Sequence, residues 1–143
     1  QGIARKGRYG AFLLDEPETM IGLVNRLAQD LSVPVTCKLR RLPDLGATVE
    51  ICRRLEAAGA SVICLHGRTR QQNKQLSGEA DWDAIGEVVR SVDVPVIANG
   101  GIGTFEDVER CLQHTGAAAV MSSEALLENP ALFCRNLDPH SGL

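Results

Sequence analysis

The sequence predicts an α/β chain in which helices cover a parallel sheet. Three observations point there. Four short, nearly continuous apolar segments rich in β-branched residues recur along the chain. Stretches with helical apolar spacing separate them, and the residues just past each apolar segment are polar and often basic. Unbroken apolar strands are those buried on both faces of a parallel sheet. Strict strand–helix alternation is the pattern of βα units.

The elements follow in order. The start, Gln1-Gly2-Ile3-Ala4-Arg5-Lys6, has no apolar leader core and no Met, and reads as the interior of a longer sequence. Pro17 suits a first helical turn after Asp15 and Glu16. Met20, Leu23, Val24, Leu27 and Leu31 then form a stripe expected to face the core. Residues 33–39 make the first strand, with Pro34 at its start, where a missing N–H does least harm. Ile51, Cys52, Leu55 and Ala58 give the next stripe, closed by Gly59. Ala60–His66 is the second strand, and Asp81 caps a helix carrying Trp82, Ile85, Val88 and Val89. The third strand, 94–99, begins with Pro95. Thr104-Phe105-Glu106-Asp107 approximates a capping box, with Asp where Glu is usual. Phe105, Val108 and Leu112 continue that helix, and Gly116 sits where a left-handed stop belongs. Residues 117–122 form the fourth strand, followed by short helical pieces. The pattern is lost after Phe133, so 1–133 is expected to fold as one unit and 134–143 to fray.

Composition bounds the function. Of 143 residues, 44% are hydrophobic and 23% charged, the range of a globular domain. Fifteen Lys and Arg against 18 Asp and Glu leave a net charge of −3, which excludes a strongly basic nucleic-acid coat. No apolar run reaches membrane-spanning length. The five cysteines have no CxxC pair, which disfavours a zinc site or a disulfide scaffold and suits reduced thiols inside a cell, in cytoplasm or nucleus.

Parallel α/β proteins place ligands at the carboxyl ends of their strands. Those ends here read Lys38-Leu39-Arg40-Arg41, His66-Gly67-Arg68-Thr69-Arg70, Asn99-Gly100-Gly101-Ile102-Gly103 and Ser122-Ser123-Glu124. Strand parity puts Lys38, His66 and Asn99 on one face, where they can share a pocket. Alone, Lys38 also reads as a solvated strand-end lysine and His66 as a satisfied core histidine. Asn99-Gly100-Gly101 followed by a helix start can close backbone N–H groups around an anion, or simply turn tightly. With Ser122-Ser123 after the last strand, it matches the phosphate site that (β/α)8 barrels build after their seventh and eighth strands. Nine of the 15 cations (Arg5, Lys6, Arg8, Lys38, Arg40, Arg41, Arg68, Arg70 and Lys74) fall in the N-terminal loop or the strand-end loops. Residues 1–14 and 66–74 contain no acid. A polyanion such as RNA can dock on such a face.

Val35 through Arg40, His66-Gly67-Arg68-Thr69, Ala98 through Ile102, Val120 through Glu124 with Asn129-Pro130, and the opening Gln1 to Leu14 together resemble the tRNA-dihydrouridine synthase family. The opening is closest to its eukaryotic type acting on D-loop uridines. The resemblance covers Gln1 to about Phe133. It implies an FMN-containing TIM barrel that reduces the C5–C6 double bond of a tRNA uridine, with NADPH as the ultimate reductant. It implies that Lys38 and His66 contact the flavin, and that Asn99, Gly100 and Gly101 bind its phosphate with Ser123 and Glu124. Glu124 departs from an Arg common there. Arg40, Arg68 and Arg70 become candidates for the RNA backbone or the flipped uridine. The family's proton-donating cysteine falls just upstream of Gln1, so no catalytic residue is expected within the chain and the chain alone is expected to be inactive. Four strands of eight make the expected fold a half-barrel, the last four strands of the TIM barrel with their helices. Its open edges and inner face favour self-association. No metal or membrane partner is expected. Two other readings stay open: a half-barrel from a phosphate-binding lyase or isomerase using Lys38, and a non-enzymatic remnant that binds tRNA or is inert.

Overall fold

The computed structural model describes residues 2–72 and 78–135. Four parallel strands, β1 (Val35–Arg40), β2 (Ala60–His66), β3 (Val96–Asn99) and β4 (Ala119–Met121), lie in the spatial order β1-β2-β3-β4. Before them come α1 (Gly2–Gly7), a 3-10 helix (Gly10–Asp15) and α2 (Pro17–Asp30). Helices α3 (Leu45–Ala57), α4 (Trp82–Val89) and α5 (Phe105–Thr115) make the crossovers, and α6 (Glu124–Glu128) follows β4. Sequential parallel neighbours with a helix in every crossover are the winding of a (β/α)8 barrel, of which this open sheet is half.

Local chemistry sets the element ends. Pro17 occupies the first turn of α2. Asp44 and Asp81 cap α3 and α4, accepting from Ala47 N at 2.6 Å and Ala84 N at 2.9 Å. The box on α5 is complete despite its Asp: Thr104 Oγ1 accepts from Asp107 N, and Asp107 Oδ2 accepts from Thr104 N at 2.9 Å. Gly116 ends that helix at φ 70°.

The helix-side face of the sheet is closed. Val35, Leu39, Ile63, Leu65, Val96 and Ala98 are buried there against α3, α4 and α5, whose Ile51, Leu55, Ile85, Val88 and Cys111 are buried too. Each Val, Leu or Ile among these contributes about 1.5–3 kcal/mol on burial. Two expectations need correction. The apolar runs taken alone suggest strands buried on both faces, yet Thr36, Lys38 and Ala119 on the other face are exposed, as the half-barrel expectation implies, with no opposing strands among the described residues. Nor does the whole α2 stripe face the core. Val24 is buried and Met20 partly so, but Leu23, Leu27 and Leu31 remain 51%, 44% and 46% exposed. Among the described residues α2 is flanked by α3 and the short 3-10 helix, and these do not cover an apolar face this wide.

The chain holds contact past the expected boundary at Phe133. Arg135 pairs with Glu109 at 2.6 Å and lies over the Phe105 ring. The rest of the expected tail, 136–143, and Lys74 lie outside the described residues. No described helix is long and apolar enough to cross a membrane.

Candidate functional site

Register places Arg40, His66, Asn99 and Met121 side by side across the carboxyl ends of the four strands. Lys38 pairs with Cys64 one layer lower on the same face. Parity therefore delivers the shared face expected of Lys38, His66 and Asn99, with the lysine beneath the other two.

The loop after β3 bends directly over this row. Gly100 and Gly101 adopt φ of +100° and +78°, accessible to glycine at little cost. A Cβ on Gly100 would lie 2.8 Å from His66 Cδ2, so the imidazole edge packs against that glycine. Trp82 at the start of α4 donates its indole N–H to Gly100 O at 3.0 Å and holds the turn. Gly67 allows the preceding crossover to close: a Cβ there would meet Asp81 O at 2.8 Å.

A cavity of about 460 Å³ opens beside the turn. Its walls include His66, Arg68, Asn99, Gly100, Gly101, Ser123 and Glu124, seven of the ten site residues expected from sequence. Lys38, Arg40 and Arg70 are not among its walls. His66 Nε2 is buried there with no hydrogen-bond partner among the described residues, which costs about 1–3 kcal/mol unless a ligand atom meets it. Burial first, then Arg40, Lys38 and Arg68, lower the His66 pKa to about 4, so the ring is neutral at pH 7. Asn99 is buried, and its Nδ2 donates to Met121 O at 2.9 Å, tying β3 to β4. Ser123 caps α6 without using its side chain. Glu124 is exposed in the first turn of α6. The Lys38 ammonium is exposed and has no partner among the described residues.

The three arginines expected to touch RNA are engaged within the chain. Arg40 Nη1 donates to Thr69 O and Gln72 O at 2.8 and 2.9 Å. Arg68 Nε donates to Gly78 O at 2.9 Å. Arg70 Nη1 donates to Ala11 O and Asp15 Oδ2 at 3.3 and 2.6 Å, and its guanidinium lies 4.7 Å from the Phe12 ring centre. Each braces the loop after β2, and Arg70 also ties that loop to the N-terminal segment.

Three contributors were missed in the sequence reading. Arg41 donates to Gly67 O at 3.2 Å and pairs with Asp81, bracing β1 against the start of α4. Trp82 was read only as core. Asp107 accepts from Gly103 N and Thr104 N at 2.9 Å each, and so fills the α5 N-terminus that was expected to face an anion. Burial raises its pKa, but Arg110 and those two N–H groups outweigh that and hold it below the usual range. The capping-box motif carried this signal, because a box that satisfies the helix start leaves fewer N–H groups for a ligand.

The cysteines stay free. Cys52, Cys64 and Cys111 are buried, Cys37 is half-buried and Cys134 exposed. Burial raises the pKa of Cys37, Cys64 and Cys111 and that of Cys52 to about 12, so all four stay thiols. No group of three metal-ligating side chains occurs among the described residues.

Comparison with known proteins converges on one family. The family described as dihydrouridine synthase (Dus) matches residues 1–141. A rat protein named tRNA-dihydrouridine(16/17) synthase [NAD(P)(+)]-like is 47% identical over 133 residues, covering 93% of this chain and 30% of that protein. The Schizosaccharomyces pombe tRNA-dihydrouridine(16/17) synthase [NAD(P)(+)] is 38% identical over 145 residues, covering 100% of this chain and 36% of its own length. The chain thus spans about a third of these relatives. Among solved structures, a phosphonopyruvate hydrolase superposes at a TM-score of 0.61 over 82% of this chain and 46% of its own, with 20% identity, which supports the barrel winding alone.

Proposed function

Because the chain belongs to the dihydrouridine synthase family, we propose that it is the flavin-gripping half of an FMN-dependent tRNA-dihydrouridine synthase. In this reading the whole enzyme reduces the C5–C6 double bond of a D-loop uridine, with NADPH as the electron source. The observation that carries the proposal is the orphaned His66 Nε2 in a cavity beside the Gly100-Gly101 turn, with an unpaired Lys38 one layer below. The residues fit the cofactor's chemistry. The glycine turn leaves backbone close to the cavity, the Ser123 hydroxyl is unused by its helix, and neutral His66 needs a polar partner. Bound there, the flavin would supply the hydride.

Each residue has a part. Lys38 brings a positive charge to the flavin ring, the tuning a protein gives its cofactor. His66 orients the ring. Gly100, Gly101 and Ser123 hold the phosphate. Asn99 fixes the spacing of β3 and β4 beneath the turn and presents its remaining acceptor. Glu124 weakens the phosphate grip by its charge. None of the five cysteines takes the proton-donor role: Cys37, Cys52 and Cys111 are set into the helix layer or the helices, Cys64 is buried one layer below His66, and Cys134 lies past α6, away from the strand ends. The 143-residue chain alone therefore turns over no uridine and associates through its open β1 and β4 edges. A lyase parent finds no support in the family match.

Trp82 is the chain's single tryptophan and touches the turn, so its emission reports the site. Titrating FMN into the chain should quench Trp82 saturably, and Lys38→Ala should weaken binding about tenfold or more. An absence of saturable quenching, with emission and flavin absorbance both unchanged, sinks the proposal.

A further inference from the structure

A second, larger depression lies away from the flavin cavity. It holds about 870 Å³ between α1 and the loop after β2, and is lined by Arg5, Arg8, Tyr9, Phe12, Arg40 and Arg70 among others. Ligand sites commonly enclose about 300–1,000 Å³, so there is room for a nucleotide with its flanking phosphates. Its two carboxylates are already committed, Asp15 to Arg70 and Glu16 to Arg8. Two of its arginines, Arg40 and Arg70, brace loops. The Arg5 side chain is exposed and has no hydrogen-bond or ion-pair partner among the described residues, and the same holds for that of neighbouring Lys6. No acid occurs in α1 to offset them.

An aromatic platform stands beside these cations. Tyr9 is 52% exposed, and its ring lies so close over Gly7 that a Cβ there would sit 2.5 Å from Tyr9 Cε1. Arg8 takes φ 53°, a left-handed conformation uncommon outside glycine, and so turns the chain sharply between α1 and the 3-10 helix. Such strain clusters at functional segments. Free cations next to an exposed, pre-placed ring are how sequence-tolerant sites hold single-stranded nucleic acid, with charge on the phosphates and stacking on a base.

We propose that this groove docks a single-stranded RNA segment, with Arg5 and Lys6 on backbone phosphates and the Tyr9 ring against a base. The inference rests on the tRNA-modifying reading and moves the RNA contact from the strand-end arginines to the N-terminal segment. A stacking ring favours RNA over an acidic peptide, which has no base to stack.

The test is fluorescence anisotropy of a labelled, unmodified tRNA with the 143-residue chain between 50 and 300 mM KCl (about the range over which counterion release is read). R5Q/K6Q should weaken binding about tenfold at 100 mM salt and lower the log–log salt slope by about 1.5. Tyr9→Leu should weaken binding about fivefold or more without changing the slope. Arg26→Gln, on the exposed face of α2, serves as the neutral control and should change neither. The proposal is overturned if R5Q/K6Q and Tyr9→Leu bind like the parent, if the parent binds no tRNA at 50 mM salt, or if polyglutamate competes as well as single-stranded RNA. FMN titration of the same proteins separates the two readings. Flavin binding with RNA affinity indifferent to these substitutions overturns the groove alone; loss of flavin binding in the parent overturns the cofactor reading. Retained flavin binding in R5Q/K6Q shows that its fold is intact.

Discussion

Acidification should destabilise this chain through His66 before its carboxylates titrate. The imidazole is held near 4 in the folded chain by burial and by Arg40, Lys38 and Arg68, against an ordinary value of 6.5. Between those two values the unfolded chain binds more protons than the folded one, so stability falls as pH falls. The His66 contribution is complete above about pH 6.5 and lost progressively toward pH 4. The gap sets a ceiling of about 3 kcal/mol, of which about 2 kcal/mol is spent by pH 5. Urea unfolding followed by Trp82 emission at pH 7.5, 6.5, 5.8 and 5.0 reads this directly (pH values all above the usual carboxylate values of about 4). In His66→Gln the loss between the extremes should shrink by about 2 kcal/mol. Identical pH dependence in the two proteins would refute the claim that the His66 ring, with its Nε2 buried, is neutral against three cations.

Three further outcomes follow from the same geometry. Gly100→Ala should cost about 2 kcal/mol or more, because the residue sits at φ +100° and the new Cβ would meet the imidazole at 2.8 Å, whereas Gly103→Ala should lie within about 1 kcal/mol of the parent; denaturation midpoints decide it. Asp107→Ala should lower stability by about 1–2 kcal/mol by opening the α5 box, and the parent's advantage should fade as pH drops below the ordinary aspartate range, since this carboxylate titrates lower when folded. Leu27→Lys with Leu31→Lys should shift sedimentation toward smaller species, since these side chains are 44% and 46% exposed beside the open β1 edge; an unchanged distribution would place the contact elsewhere.

How much of this was legible in the sequence depends on the range of the interaction concerned. The helix starts were local problems: Pro17, Asp44, Asp81 and the Thr104–Asp107 box act within one turn, and pattern suffices. The four strands were legible because β-branched apolar runs between glycines and prolines have few other uses. Periodicity alone suggests two-sided burial, because an apolar inner face signals a partner and does not say whether that partner lies within the same 143 residues; counting four strands of eight is what points to an open inner face. The α2 stripe failed likewise, since periodicity gives the direction of a face and not what covers it. At the site, parity sufficed to bring Lys38, His66 and Asn99 to one side. Parity does not report that Asn99 would spend its amide N–H on Met121 O, or that Trp82 would latch the glycine turn, because both bonds cross between segments far apart in the chain.

The basic rim shows why charge counting locates a surface better than it assigns contacts. Segregating the cations into the N-terminal segment and strand-end loops is visible in the sequence, and the structure keeps Arg40, Arg68 and Arg70 on the carboxyl side of the strands. Yet Arg40, Arg41, Arg68 and Arg70 give donors to loop carbonyls at Thr69, Gly67, Gly78 and Ala11. A guanidinium bonded to neutral carbonyls keeps its full charge, so Arg40 and Arg68 still contribute to the field that draws a polyanion in. Arg70, paired with Asp15, contributes less. What these residues have used are directional hydrogen bonds, the part that fixes register on a phosphate. Under the proposed RNA contact, steering and gripping would therefore fall to different residues. In that proposal the braced arginines attract, while their hydrogen bonds stiffen the loop after β2 that forms one wall of the larger groove. Arg5, Lys6 and Lys38, which have no partner among the described residues, retain donors for a ligand, two of them beside the exposed Tyr9 ring and one below His66.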